Sequence, residues 1–248
     1  MGTVPVIDPM SLVAFLWNVA GVEVTEAEVR QYWKHHRENN CPWAIHSQAD
    51  ELTMPIALYG DGVKLRSTIR GQEKMVGIFL SCPLFRPRSV RCSRWLLAAV
   101  QEELLYKHYT LDTIFCYLTW ALNQLWTGKW PTSNGPALLP LSKAQSARAG
   151  HWITHAKWRF QVTELRGDWL WHRQVFRFRA SWKGGAKHSV CFKCPAYATN
   201  VPTDALYYNI VENAPFWAKE YSLVSWLALI CPDVPCALSV LKTFSFFS

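Results

Sequence analysis

Two short apolar runs, each closed by a turn-forming sequence, constrain the fold most. Residues 54–59 (MPIALY) are followed by Gly60-Asp61-Gly62, and residues 74–81 (KMVGIFLS) are followed by Pro83. Short apolar runs between Gly and Pro residues are typical of buried strands, so we predict two strands with a turn at residues 60–62. A third short strand over residues 89–94 would complete a three-stranded meander.

Helical patterns lie on both sides of these runs. Thr25 and Glu28 have capping-box spacing and predict a helix that ends near residues 39–40. Residues 11–20 also predict a helix, which makes residues 1–50 a helical, acidic lead-in. Apolar residues at i, i+3 and i+4 predict helices over residues 95–106 and 111–126, with Thr110 as N-cap of the second.

A further strand is predicted after a loop. Residues 127–150 are rich in Gly, Pro, Ser and Asn and indicate a loop or linker. The alternating sequence RFQVTEL, at residues 159–165, then indicates a strand, and a helix that opens at Asp168 follows it. The chain therefore belongs to the mixed α/β class.

Two carboxylates follow predicted strands. Asp61 comes after the first core strand, and Asp168 comes just past the strand that succeeds the helical block. In a ribonuclease-H-like fold a fourth strand lies parallel to the first, so such carboxylates share a site. Paired acids hold Mg²⁺ ions that activate the attacking oxygen in phosphodiester chemistry. The alternative is structural, because Asp-Gly is a common turn and Asp is a common helix cap.

Positive charge is concentrated in the middle of the chain. The net charge is +8 overall, but residues 1–60 carry −4, residues 61–130 carry +5, residues 131–194 carry +9 and residues 195–248 carry −2. This segregation favours an anionic partner, namely nucleic acid. Aromatic residues interleave with the cations of residues 166–188; they could stack on bases, although a place in the core is the favoured interpretation. The predicted nucleic-acid-binding side chains are Arg166, Arg173, Arg177, Arg179, Lys183 and Lys187.

Eight cysteines in 248 residues are too few for a disulfide scaffold. Without a secretory signal in the first residues, we expect an intracellular protein whose thiols are free or metal-bound. Cys191 and Cys194, with His188 nearby, have half of a Zn²⁺ signature. The candidates for the other two ligands are His188, His172, and Cys231 or Cys236; inert buried thiols are the alternative. The longest apolar stretch, residues 221–230, is too short to span a bilayer, so no membrane partner is expected.

Four segments in order, YWKHHRENNCPWAIHS, MPIALYGDGVKL, ELRGDWLWHRQVFRF and VCFKCPA, resemble an uncharacterised multigene family of dinoflagellates. That family is similar to products of transposable elements, and more distantly to transposases with a ribonuclease-H-like core and a Cys-x-x-Cys insertion. The resemblance covers residues 25–233. It implies that Asp61 and Asp168 match the first two acidic positions, as remnant ligands of Mg²⁺. It also implies that Cys191 and Cys194 match the thiol pair of the insertion.

The C-terminal part departs from the family pattern. Residues 232–236 (PDVPC) stand where the family has a Pro-Asp-x-x-His-like motif, and the tail LSVLKTFSFFS indicates a truncated or degenerate terminus. A third catalytic carboxylate would then be missing. The expected function is therefore DNA binding by a transposase-derived protein, located in the nucleus, with phosphodiester transfer ancestral and lost. A non-catalytic, Trp-rich protein-interaction module and a gene-model fragment without selected function are the alternatives.

Three segments are expected along the chain. Residues 1–50 form the helical lead-in, and residues 51–182 form a truncated ribonuclease-H-like core that includes the loop at residues 127–150. Residues 183–248 form a helical segment that bears the Cys-x-x-Cys pair and the degenerate tail.

Overall fold

A computed structural model describes residues 4–68, 71–106, 109–136, 139–167 and Trp171. Within these residues the helices are α1 (Pro9–Asn18), α2 (Glu26–Glu38), α3 (Pro42–Ile45), α4 (Tyr109–Thr127) and α5 (Lys143–Ala147). The strands are β1 (Thr53–Thr68), β2 (Gly71–Ser81), β3 (Trp95–Gln101) and β4 (Arg159–Gly167). Short 3₁₀ turns cover Val90–Ser93 and Glu102–Leu104.

Side-chain caps fix the starts of the first two helices. At α1 the Asp8 carboxylate accepts hydrogen bonds from the backbone N–H groups of Met10 and Ser11. At α2 the Thr25 hydroxyl accepts from the Glu28 N–H at 3.2 Å, and the Glu28 carboxylate accepts from the Thr25 N–H at 2.8 Å. This reciprocal pair satisfies two N–H groups that the helix itself cannot pair. The capping box and helix predicted from Thr25 onward are confirmed.

The four strands form one mixed sheet in the order β3-β2-β1-β4. Strands β1, β2 and β3 are antiparallel neighbours, whereas β4 runs parallel to β1, from the Thr53–Arg159 pair to the Gly60–Gly167 pair. The parallel fourth strand beside the first is thus confirmed, as is the mixed α/β class, whereas the three-stranded meander forms with a different third strand from the one predicted.

Strand β1 is longer than predicted, and the predicted turn at residues 60–62 is wrong. Gly60, Asp61 and Gly62 pair with Ile78, Gly77 and Val76 of β2, in an unbroken antiparallel register. The turn signal is local, whereas the ladder hydrogen bonds from β2 hold this backbone extended. Asp61 therefore lies inside β1, one residue past the point where the described pairing with β4 stops.

The third strand is displaced along the chain. Residues 90–93 form a 3₁₀ turn rather than a strand, and residues 95–101, predicted as helix, form β3. Their apolar sequence WLLAAVQ suits a buried helix or a buried strand equally well, so periodicity cannot decide between them. Pairing with β2, from Leu80–Trp95 to Met75–Gln101, selects the strand. Helix α4 is confirmed, but Thr110 lies within it and is not its N-cap.

Helices cover both faces of the first half of β1, in which residues 53–58 are all buried. On one face Trp17 of α1 packs edge-on against Phe160, the β4 partner of Met54, and α4 packs against both α1 and β4. On the other face the Tyr32 hydroxyl of α2 donates to Thr163, beside Glu164. The neighbouring Trp33 indole donates to the Thr53 carbonyl at 2.7 Å.

Residues 4–167 belong to one compact unit, so the lead-in helices pack with the sheet. The predicted boundaries at residues 50 and 182 stay predictions. In the described ranges no helix is both long and apolar enough to cross a bilayer.

Candidate functional site

The α2-side face of the sheet opens to solvent just beyond the buried half of β1. Tyr59 and Asp61 are partly exposed, whereas Leu58 and the intervening Gly60 are buried. Because side chains alternate along a strand, Tyr59 and Asp61 project on the same side. With Phe79 of β2 and Arg94 they form a cluster that we call the Tyr59 face.

A direct hydrogen bond joins the two β1 side chains of this face. The Tyr59 hydroxyl donates to Oδ2 of Asp61 at 2.8 Å. Partial burial raises the pKa of Tyr59, and the hydrogen bond to Asp61 and the charge of that carboxylate raise it further; Arg94 acts in the opposite direction. Tyr59 therefore remains a protonated donor at neutral pH, and one oxygen of Asp61 is already engaged.

Arg94 places a positive charge on the same face. Its guanidinium carbon lies 4.0 Å from the centre of the Tyr59 ring, well within cation–π range, and the residue is exposed. A guanidinium that stacks on an aromatic ring is held in one orientation. Its N–H groups can then bind two oxygens of a phosphate or carboxylate.

Gly77 shapes the space opposite Asp61. The two residues are partners in the β1–β2 ladder, and a Cβ on Gly77 would lie 2.6 Å from the Phe79 ring. The absence of a side chain at Gly77 therefore lets the Phe79 ring cover that position. The Phe79 ring also lies 6.1 Å from the Tyr59 ring. Aromatic surface consequently borders the carboxylate and the guanidinium.

Of the two acids predicted to share a site, Asp61 and Asp168, only Asp61 lies within the described residues. Gly60 and Gly167, the residues that precede the two acids, are register partners at the end of the parallel ladder. Asp168 itself lies outside the described residues. Glu164 is the described acid of β4, but it pairs with Ala57. Ala57 lies four residues, about 13 Å, before Asp61 along β1, which is too far for a shared metal ion.

Arg166 is the one predicted nucleic-acid-binding residue within the described ranges. It is exposed near the end of β4, opposite Tyr59, and its Nε donates to the Glu164 carboxylate. This ion pair compensates part of its charge, so Arg94 is the stronger anion-binding group of this region. The other predicted cations lie outside the described residues: Arg173, Arg177, Arg179, Lys183 and Lys187.

The predicted zinc ligands Cys191, Cys194 and His188 lie outside the described residues, as do His172, Cys231 and Cys236. In the part of the chain that is described, no three His, Cys, Asp or Glu side chains converge as a metal site. Cys41, Cys82 and Cys92 are free thiols, whereas Cys116 is disulfide-bonded, which departs from the expectation of free or metal-bound thiols. Trp171 is buried, in agreement with a core role for that aromatic residue.

The described donors do not fit a Mg²⁺ site by themselves. Mg²⁺ requires oxygen ligands in near-octahedral geometry, usually one or two carboxylates with waters and substrate phosphates. The Tyr59 face supplies one carboxylate, which a hydroxyl already engages, and a guanidinium on the neighbouring ring. That combination suits a bound anion better than a divalent cation.

Sequence reasoning located Asp61 but missed its surroundings. Arg94 and Phe79 reach the Tyr59 face only through the β1–β2–β3 pairing, and nothing local in the sequence marks Phe79. The cluster of cations at residues 86–94 (RPRSVRCSR) was a usable signal for Arg94, since it follows an apolar strand directly.

No protein-family model matches the sequence, and comparisons with curated proteins and with solved structures also give no match.

Proposed function

We propose that this chain is a nucleic-acid-binding protein derived from a DNA transposase, and that its phosphodiester-transfer activity has been lost. The observation that carries the proposal is the Tyr59 face, where Arg94 is held over an aromatic ring at the open end of the parallel β1–β4 pair. A positioned guanidinium binds phosphate oxygens, and flanking rings offer surfaces on which bases can stack.

The sheet supports the transposase ancestry. Three antiparallel strands, an intervening helix and a fourth strand parallel to the first occur in the order expected of a ribonuclease-H-like core. In such a core the acids that follow the first and fourth strands share one site. Asp61 directly follows Gly60, and the partner of Gly60 is Gly167, the residue that precedes Asp168 in sequence.

The surroundings of Asp61 support the loss of activity. A two-metal mechanism requires carboxylates whose oxygens are available to both ions. The Tyr59 hydroxyl occupies Oδ2 of Asp61, and Arg94 brings a competing positive charge to the same face. We therefore propose Asp61 and Asp168 as remnants of an ancestral Mg²⁺ site rather than as parts of a working one. Cys191, Cys194 and His188 remain proposed ligands of a structural Zn²⁺ ion.

A titration of labelled duplex DNA tests the proposal. With the full chain, binding should weaken steeply between about 50 and 200 mM salt, because phosphate contacts release counterions. Arg94→Gln should weaken binding and reduce the salt slope by about 0.9, the contribution of one phosphate. Arg30→Gln, on an exposed site of α2, is the matched control and should leave both quantities unchanged.

Asp61→Asn separates anion binding from metal binding. If Asp61 borders a phosphate-binding face, removing its negative charge should strengthen DNA binding without added metal. Incubation with Mg²⁺ or Mn²⁺ should give no nicking in the parent protein. Metal-dependent nicking that Asp61→Asn abolishes would overturn the claim of lost activity. Affinity that is insensitive to salt would instead favour the protein-interaction module.

A further inference from the structure

A second cationic surface lies away from the β1–β4 strand ends, in the loop region before β4. The sequence holds no Asp or Glu between Asp112 and Glu164, whereas it holds five Lys or Arg residues there. Arg159 is paired with Asp50. The other four, together with two histidines of the same region, are exposed: Lys129, Lys143, Arg148, His151, His155 and Lys157.

A short backbone ladder orders this region. The Trp130 N–H donates to the His151 carbonyl, the Gly150 N–H donates to the Trp130 carbonyl and the Ile153 N–H donates to the Gly128 carbonyl, at 2.9–3.0 Å. The Asn18 side chain adds two hydrogen bonds to this region: it donates to the Ile153 carbonyl and accepts from the His155 N–H. Side chains displayed by this ladder are preorganised, which lowers the entropic cost of binding.

Trp152 is the aromatic centre of this surface. Its side chain is 39% exposed, although one part of the ring rests against Gly128, whose missing Cβ would lie 2.7 Å away. The Lys129 ammonium lies 5.5 Å from the ring centre, and the two residues face each other across the ladder. Lys157 is exposed and precedes Trp158, whose carbonyl lies 3.0 Å from the same missing Cβ, so the backbone that carries this cation passes close to Gly128.

Little negative charge opposes these cations. Within the described ranges, Lys129, Arg148 and Lys157 form no ion pair with a carboxylate. A carboxylate that does approach the region is Glu23, which lines an open groove of about 400 Å³ beside His155. A rigid, exposed indole among unpaired cations is the arrangement with which proteins bind single-stranded nucleic acid.

We infer that Lys129, Trp152 and Lys157 form a binding surface for single-stranded nucleic acid, in which a base stacks on Trp152 and the lysines contact the flanking phosphates. This inference takes its ligand class from the proposed function, but it assigns a separate place on the molecule and a strand state. Such a surface would hold an unpaired strand while the Tyr59 face contacts duplex.

The test measures the fluorescence anisotropy of a labelled single-stranded oligothymidine with the full chain at two salt concentrations. Lys129→Gln with Lys157→Asn should reduce the salt slope by about 1.4, because each phosphate of a single strand contributes about 0.7. Asn is chosen at position 157 because the backbone φ there is +58°. The control, Arg30→Gln with Lys34→Gln, removes two exposed charges from α2 and should leave the slope unchanged.

Trp152→Ala should weaken oligothymidine binding by roughly fivefold or more, whereas Trp152→Tyr should retain most of the affinity, because base stacking needs an aromatic face. Circular dichroism of both variants shows whether the fold is intact, and the double-lysine variant keeps the test valid if Trp152→Ala does not fold. Equal losses in the lysine variant and its α2 control would overturn the inference, as would full affinity in Trp152→Ala.

The two proposals fail separately. If Arg94→Gln weakens duplex binding as expected while the Lys129, Trp152 and Lys157 variants bind oligothymidine like the parent, the single-strand surface is refuted and the proposed function stands. If only the latter variants lose binding, the single-strand surface stands and the Tyr59 face is refuted.

Discussion

Two tryptophans with opposite hydrogen-bonding states allow a sharp stability test. The Trp33 indole is 1% exposed and donates to the buried Thr53 carbonyl at 2.7 Å. The Trp17 Nε1 is buried as well, but it has no hydrogen-bond partner among the described residues. Both rings make edge-to-face aromatic contacts, Trp33 with Tyr32 and Trp17 with Phe160. Replacement of each by Phe therefore isolates the indole N–H.

The magnitudes follow from these environments. Trp33→Phe removes the donor and leaves a buried carbonyl without that partner, which costs about 1–3 kcal/mol, and the smaller ring adds a packing loss. Trp17→Phe suffers a similar packing loss but removes a buried, unpaired N–H, whose burial itself costs about 1–3 kcal/mol. We expect Trp33→Phe to lower the free energy of unfolding by about 2–4 kcal/mol and Trp17→Phe to change it by less than about 1 kcal/mol.

Urea unfolding followed by far-ultraviolet circular dichroism measures both values, because the fourteen tryptophans make fluorescence hard to assign. The slope of free energy against urea should be the same in both variants, so that the midpoints report stability alone. Equal destabilisation by the two substitutions would refute the reasoning, since ring size would then dominate the effect and the Trp33–Thr53 bond would contribute nothing measurable.

Three further outcomes are expected. Thr25→Ala removes the side-chain acceptor of the α2 capping box and should cost about 1 kcal/mol, so an unchanged thermal midpoint would contradict the assignment. Burial raises the pKa of Tyr32 to about 12, above the ordinary value of 10. Protonated Tyr32 therefore contributes fully to the free energy of unfolding below pH 10, and this contribution is lost as the pH rises towards 12. The loss should reach about 2–3 kcal/mol, and Tyr32→Phe should flatten the fall of stability over that window in alkaline urea titrations. Gly128→Ala, at φ +72° against an indole ring, should destabilise by about 2 kcal/mol or more, whereas Gly62→Ala, with open space around the new methyl, should not; a similar effect of both on the thermal midpoint would refute this.

The sequence predicted elements whose signals are local. The Thr25–Glu28 box lies within one helical turn, and RFQVTEL alternates over a single strand, so both were located correctly. Residues 95–101 were assigned to the wrong class because an apolar run of this length satisfies both periodicities. Only the hydrogen bonds to β2, a partner distant in sequence, distinguish strand from helix here.

The same limit applies to the candidate site. Asp61 was recognisable from the sequence, but the Gly-Asp-Gly signal placed it in a turn rather than within β1. Arg94 lies 33 residues after Asp61 and reaches the ring of Tyr59 through the packing of three strands. A single sequence gives residue types and spacing; it does not give the contacts that decide whether a carboxylate binds metal or accepts a hydrogen bond from a tyrosine.

The backbone amides of strand β1 differ in how strongly they should be protected from hydrogen exchange. Residues 53–60 have pairing with β4, whereas among the described residues the far end, near residues 66–68, pairs with β2 alone. An amide between two partner strands exchanges its hydrogen only when a larger part of the sheet opens, while a two-stranded ribbon can open by itself. Hydrogen exchange along this single strand would therefore fall into two classes, with the change of class past Val63, whose β2 partner Met75 is the first β2 residue paired with β3. The better protected half would hold the Asp61 carboxylate in place, while the ribbon beyond it opens independently on the timescale of local unfolding.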